Sequence, residues 1–216
     1  MAKKPPRRSR LDAARARMYR DLVFESAEHV FARKSFEAAT MQEIAGEAGI
    51  SLKTLYATSP GKQELYAEIS RVRGMEFAET VAAAQDVSGD ALEKLAAGVR
   101  AYVDFLVHHP DYLRIHLREG RTWGLAPDEA WARDSWSLGV GATAAIVREG
   151  QEAGVFYPGD AELMAMRSIA VMQVEIAHHA DGVGPDDAGR MAEDVLTQLR
   201  RLLCRPGVED KGRAAA

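Results

Sequence analysis

The sequence predicts an all-α protein in which an N-terminal helix-turn-helix unit is joined to a larger helical domain. Three observations predict it. Apolar residues recur at helical spacing in one segment after another. Helix-starting and helix-stopping residues separate those segments. No window alternates convincingly with period two, so no sheet is expected.

Composition sets the outer bounds. The 216 residues are 47% apolar and 28% charged, an ordinary globular balance with enough apolar mass for a core. The single cysteine, Cys204, excludes an internal disulfide and any cysteine-rich zinc site, and an inert thiol is expected there. No run approaches the ~18 uninterrupted apolar residues of a membrane span. No apolar stretch follows the basic N-terminus, which argues against a secretory signal and for a cytoplasmic protein. Charge is unevenly placed. The chain carries −4 in all, whereas residues 1–20 hold eight basic groups against Asp12 alone, a local +7. A basic head on an acidic body suggests that the head meets a polyanion, although a solvated tail has the same composition.

The elements follow in order. Residues 3–10, with Pro5 and Pro6, read as a flexible arm, and a basic arm is assigned to 1–16. From about Leu11 a helical pattern begins, with Leu22, Val23, Ala27, Val30 and Phe31 at helical spacing. It should end near Lys34, where Ser35 breaks it. Thr40-Met41-Gln42-Glu43 is a capping box: the Thr40 hydroxyl accepts from the Glu43 N–H, and the Glu43 carboxylate accepts from the Thr40 N–H. The helix it opens is short, because Gly49 follows Ala48 where a left-handed cap is wanted. Ser51 offers a second N-cap, and a short helix should run from Leu52 to about Ala57. Ser59-Pro60 repeats the start signal, since proline suits the first helical position. A longer helix is then expected over 61–84. Further helices are expected at about 90–109, 111–121, 127–153, 160–180 and 186–204, with breaks at Pro110, 124–127, 154–159 and 182–185.

Two short helices joined by a glycine-containing turn form a recognisable unit. Neither is stable alone, since short helices are marginal in water. Ile44, Ala45, Ala48, Ile50 and Leu55 supply the apolar contacts that fix their crossing, which is the helix-turn-helix signature. The second helix can read DNA. Leu52 and Leu55 turn inward, while Lys53, Thr54 and Tyr56, with Ser51 at its cap and Thr58 just beyond, can face outward to bases and phosphates. Thr40 and Gln42 begin the preceding helix, whose free N–H groups also favour phosphate. Lys62 lies within plausible reach of the backbone. The predicted DNA-contacting residues are therefore Thr40, Gln42, Ser51, Lys53, Thr54, Tyr56, Thr58 and Lys62.

These residues carry a resemblance. Phe31-Ala32, Thr40-Met41-Gln42-Glu43-Ile44-Ala45, Ala48-Gly49-Ile50-Ser51, Thr54-Leu55-Tyr56 and Lys62-x-x-Leu65 look like the TetR family of repressors, over roughly residues 17–70. The resemblance implies an all-helical protein with three N-terminal helices that bind DNA. A fourth helix would link them to a C-terminal domain that dimerises and binds a small ligand. Residues 150–156 and Gly159-Asp160 are similar to the turn before the family's penultimate long helix. Three positions depart from the pattern. Ser35 stands where the family usually ends its first helix with glycine, and a left-handed serine costs about 1 kcal/mol more than glycine. Ala39-Thr40 replaces a threonine pair. Thr58-Ser59 replaces an aromatic pair, which removes packing at Ser59.

The expected domains are the arm, the DNA-binding domain at 17–63, a ligand-binding and dimerisation domain at 64–206, and a disordered tail at 207–216. The last two helices carry apolar stripes on more than one face. On one, Leu163, Met166, Ala170, Gln173 and Ala177 lie beside Ile169, Met172 and Ile176. On the other, Met191, Val195, Leu199 and Leu202 lie beside Leu196 and Leu203. That exceeds one core's need and suggests a four-helix interface between two protomers. Tyr112, His116, Trp123, Trp136, Met172, Glu175 and His179 are the candidates to line a small-molecule cavity, with Glu175 able to recognise a cation. Each also reads as a core or surface residue. The adjacent pairs His108-His109 and His178-His179 lack the spacing of a helical zinc pair, so no metal and no cofactor are expected. No Gly-x-Ser-x-Gly elbow, phosphate loop or Cys–His arrangement suggests an enzyme. The reading is a homodimeric repressor on double-stranded operator DNA, released by an effector; the alternative is a helical small-molecule-binding protein or enzyme.

Overall fold

The computed structural model describes residues 7–118, 130–179 and 187–207, with side chains described within 15–118, 133–178 and 187–207. Among these residues the chain forms nine helices and no strand. They are α1 (Arg7–Lys34), α2 (Met41–Glu47), α3 (Leu52–Thr58), α4 (Lys62–Gln85), α5 (Ala91–His108), α6 (Pro110–Arg118), α7 (Ala130–Glu152), α8 (Ala161–His179) and α9 (Ala188–Leu203). The chain groups into two compact units, one of residues 1–70 and 111–119 and one of residues 71–110 and 120–216.

The first unit is built on a single apolar cluster. Val23, Ala27, Val30 and Phe31 of α1 meet Met41, Ile44 and Ala45 of α2, Leu55 of α3, Leu65, Tyr66 and Ile69 of α4, and Ile115 of α6. Each large side chain buried there is worth roughly 1.5–3 kcal/mol, which is what holds helices too short to stand alone. Phe31 and Tyr66 meet edge to face at 5.1 Å. The α1–α2 connection is tied down from α4. The Lys62 ammonium donates to the carbonyls of Phe36 (2.6 Å), Ala39 (2.9 Å) and Glu37 (3.2 Å), which uses all three of its protons.

A polar chain also runs through this unit. Arg33 lies 3.8 Å from Glu47 of α2 and 3.5 Å from His29 Nε2. Arginine only donates, so Nε2 accepts and His29 Nδ1 carries the proton, which it donates to Asp111 at 2.8 Å. Asp111 is also paired with Arg114 at 2.9 Å. These contacts and Ile115 hold α6 in the first unit.

Two helix starts differ from the sequence reading. The arm expected at 3–10 is helical from Arg7. Once the packed turns around Val23 exist, each added residue costs little, and Leu11, Ala13, Ala14, Ala16 and the arginines are good helix formers. Ser59-Pro60 does not open α4. Ser59 is extended and buried, and its N–H closes α3 on the Leu55 carbonyl at 2.9 Å. α4 begins at Lys62, with the Gly61 carbonyl accepting the first turn's Leu65 N–H.

In the second unit α7 packs on α5 and α8, and α9 packs on α5 and α8. Leu95, Val99 and Val103 of α5, Val147 of α7, Ile169, Met172 and Ile176 of α8, and Val195, Leu199 and Leu203 of α9 are buried. The turn before α8 has a steric rationale. The Phe156 ring lies against the backbone of Gly150, where a Cβ would sit 2.1 Å from a ring carbon. Asp160 then caps α8, its carboxylate accepting from the N–H groups of Glu162 and Leu163. Phe156 also bridges to Cys204, which is buried.

Candidate nucleic-acid interface

Both caps form as the sequence predicts. The Glu43 N–H donates to Thr40 Oγ1 at 3.3 Å, and the Thr40 N–H donates to Glu43 Oε2 at 3.1 Å. Lys34, in the last turn of α1, donates to the other Glu43 oxygen. That bond, followed by the one from Thr40, holds the Glu43 carboxyl below the ordinary carboxylate range. Gly49 takes φ +61, so the chain leaves α2 left-handed and the Ile50 N–H returns to the Ala45 carbonyl at 3.0 Å. Ser51 then accepts from the Thr54 N–H at 3.1 Å and opens α3. Leu55 is fully buried and fixes α3 against α1 and α2.

With α3 pinned by Leu55, its remaining face is open. Gln42, Lys53 and Tyr56 are exposed, Tyr56 by 50%, and their donors have no hydrogen-bond or ion-pair partner among the described residues. Ser51 and Thr54 share a hydroxyl–hydroxyl bond of 2.8 Å, so one of the two protons remains available. The other three predicted contacts have their donors engaged within the protein. The Thr40 hydroxyl donates to Glu43 at 3.0 Å, and that of Thr58 donates to the Thr54 carbonyl at 3.0 Å. Lys62 holds the three carbonyls of the α1–α2 connection. Sequence reasoning missed the Lys34–Glu43 and Arg33–Glu47 pairs; their signal was two cations at the end of α1 facing the acidic positions of α2.

The predicted cavity residues are divided between the units. Tyr112, buried, and His116 lie on α6 in the first, their ring centroids 4.3 Å apart. Trp136, Met172 and Glu175 lie in the second; Met172 is buried and the other two are half-buried. Trp123 and the His179 side chain lie outside the described residues. Among the described residues no three histidine, cysteine or carboxylate side chains are grouped to hold a metal. No described helix is long and apolar enough to cross a membrane.

Residues 23–69, from Val23 of α1 to Ile69 of α4, match the profile of bacterial regulatory proteins of the tetR family. That segment carries the DNA-binding domain of the TetR family, and the chain is a DNA-binding transcriptional regulator. Among its relatives is the HTH-type transcriptional repressor SCO4008 of Streptomyces coelicolor, 27% identical over 85% of this chain and 94% of that protein. Another is the HTH-type transcriptional activator FasR of Mycolicibacterium smegmatis, 32% identical over 42% of this chain and 41% of that one. The fold is shared with the ketosteroid transcriptional regulator KstR2 of Mycobacterium tuberculosis, at 20% identity and a TM-score of 0.69 over 86% of this chain and 95% of that one. It is shared also with PfmR of Thermus thermophilus, at 24% identity and a TM-score of 0.68 over 86% and 97% of the two chains. The family match thus falls on the same segment that carries the caps, the glycine turn and the open face of α3.

Proposed function

We propose that the protein is a cytoplasmic homodimeric repressor, released from operator DNA by a small molecule. The observation that carries this reading is the open face of α3, where Lys53 and Tyr56 keep their donors uncommitted beside Gln42 and the Ser51–Thr54 pair. One relative that spans most of this chain is named a repressor, which favours repression over activation. DNA binding uses residues 17–63 and the ligand and dimer functions use 64–206, with a tail at 207–216.

The dimer reading rests on α8. Most of the stripe on α9 is consumed within the chain, since Met191, Val195, Leu196, Leu199 and Leu203 are buried, and Leu202 is half-buried. On α8 the Ile169–Met172–Ile176 face is likewise buried, but Leu163 is 41% and Val174 67% exposed, with Met166 and Ala170 between them. A second copy covers that face. The effector occupies the second unit near Trp136, Met172 and Glu175, and the Glu175 carboxylate selects a cationic group. Two recognition helices must match half-sites about 34–36 Å apart or a multiple of it, so a small ligand-driven displacement breaks simultaneous binding.

Selection of genomic fragments on the purified protein tests the reading. Enrichment of a two-fold symmetric sequence is expected, and failure to enrich any sequence overturns it.

A further inference from the structure

We infer that the N-terminal part of α1, ahead of the packed core, is a second DNA-contacting element that grips backbone phosphate independently of α3. The inference rests on the DNA-binding reading above.

α1 begins at Arg7, and among its residues with described side chains, from Arg15 on, the first buried apolar one is Val23. Eight such positions, 15–22, about 12 Å at ~1.5 Å per residue, precede that residue, and the helical backbone continues upstream of them to Arg7. Burial does not hold this stretch, since Met18 (58%) and Leu22 are exposed among its described residues.

Its charge is arranged against helix stability. Residues 7–20 contain Arg7, Arg8, Arg10, Arg15, Arg17 and Arg20 with Asp12 as the only acid. The first turn has no acidic residue and begins with two arginines, at the end where the helix dipole favours anions. Arg7 and Arg10 are like charges three apart, a destabilising spacing. At about 100° per residue, Arg7, Arg8, Arg10, Arg15 and Arg17 fall in one half of the helix circumference. That half is centred opposite the register of Val23, Ala27, Val30 and Phe31. Arg20 falls outside it and is paired with Glu68. A solvated helix of this length gains from mixed signs at i, i+4; this one places five cations on one side.

A polyanion reverses each of these terms. Phosphates neutralise the like charges and supply the anion that the helix N-terminus favours. Duplex DNA is the polyanion to expect, because the same unit carries the α3 face. Binding of this kind is sequence-independent and releases counterions, so it registers in the salt dependence of affinity.

The experiment measures affinity for a mixed-sequence 30-base-pair duplex as a function of salt, using the full chain and two triple variants. In Arg7→Ala/Arg8→Ala/Arg10→Ala the log–log slope should become shallower by about 0.9 for each phosphate no longer neutralised, about 2–3 in all. Arg7→Lys/Arg8→Lys/Arg10→Lys should keep the original slope. The far-ultraviolet helical signal of the unmodified chain should rise on adding the duplex, and that of the alanine variant should rise less. Equal slopes for all three proteins overturn the arm while leaving α3 binding intact. A wild-type chain that binds no duplex at any salt overturns both readings.

Discussion

At the scale of single residues, the structure assigns several side chains to holding the reading unit together. Ser35 is the clearest case. It adopts φ +81, and it is the one non-glycine residue with positive φ among those described. It ends α1 left-handed, as the family's glycine would, and bears the strain of a Cβ there. Ser35→Gly should therefore stabilise the protein by about 0.5–1 kcal/mol in chemical denaturation. Tyr66 offers a second test. Its hydroxyl is buried in the Phe31–Phe36 cluster and has no hydrogen-bond partner among the described residues. Tyr66→Phe removes an unsatisfied group without changing the ring, so stability should hold or rise by roughly 1 kcal/mol; a clear loss would show that the hydroxyl is bonded. Glu43 sets a pH dependence. Its pKa is depressed in the fold by Lys34 and Thr40, so its contribution is present above the ordinary carboxylate range. That contribution is lost as pH falls through the depressed value. Unfolding midpoints of wild type and Glu43→Gln should therefore differ at neutral pH and converge on acidification.

At the scale of elements, what could be read in advance was what is local. The caps at Thr40 and Ser51 and the turn at Gly49 each depend on residues within about four positions, and all three form as expected. Thr40→Ala should cost about 1 kcal/mol and loosen α2, detectable as faster amide exchange at Glu43. Ser59-Pro60 shows where local signals mislead. It is a sound helix start by composition, but Ser59 is buried and its N–H is committed to ending α3. The partners of Lys62 were hidden for another reason, since its three carbonyls lie 23–26 residues earlier in the chain. The placement of α6 was hidden too. Its tie through His29 and Asp111 spans 82 residues, and no periodicity within α6 reveals it.

For the whole molecule, the apolar excess on the last two helices was legible, but its division was not. Periodicity showed stripes on both α8 and α9; only packing shows that α9 is satisfied within the chain and α8 is not. Val174→Lys, at the most exposed large apolar residue among those described, should convert the proposed dimer to a monomer in sedimentation with little change in the monomer's stability. Charge asymmetry was equally legible: the +7 of the first twenty residues is a property of sequence alone. Helical register then places five of those eight cations on one side of α1.

DNA reading by the open side of α3 is tested most directly by anisotropy titration of a selected genomic fragment. Lys53→Ala should lower affinity and make the salt slope shallower by about 1, as for one phosphate left unneutralised, or relax discrimination at one base by about 1–3 kcal/mol. Tyr56→Phe, which keeps the ring and removes the donor, should weaken binding without altering the unfolding midpoint. Wild-type affinity in both variants, with both fully folded, would show that this face of α3 does not read DNA.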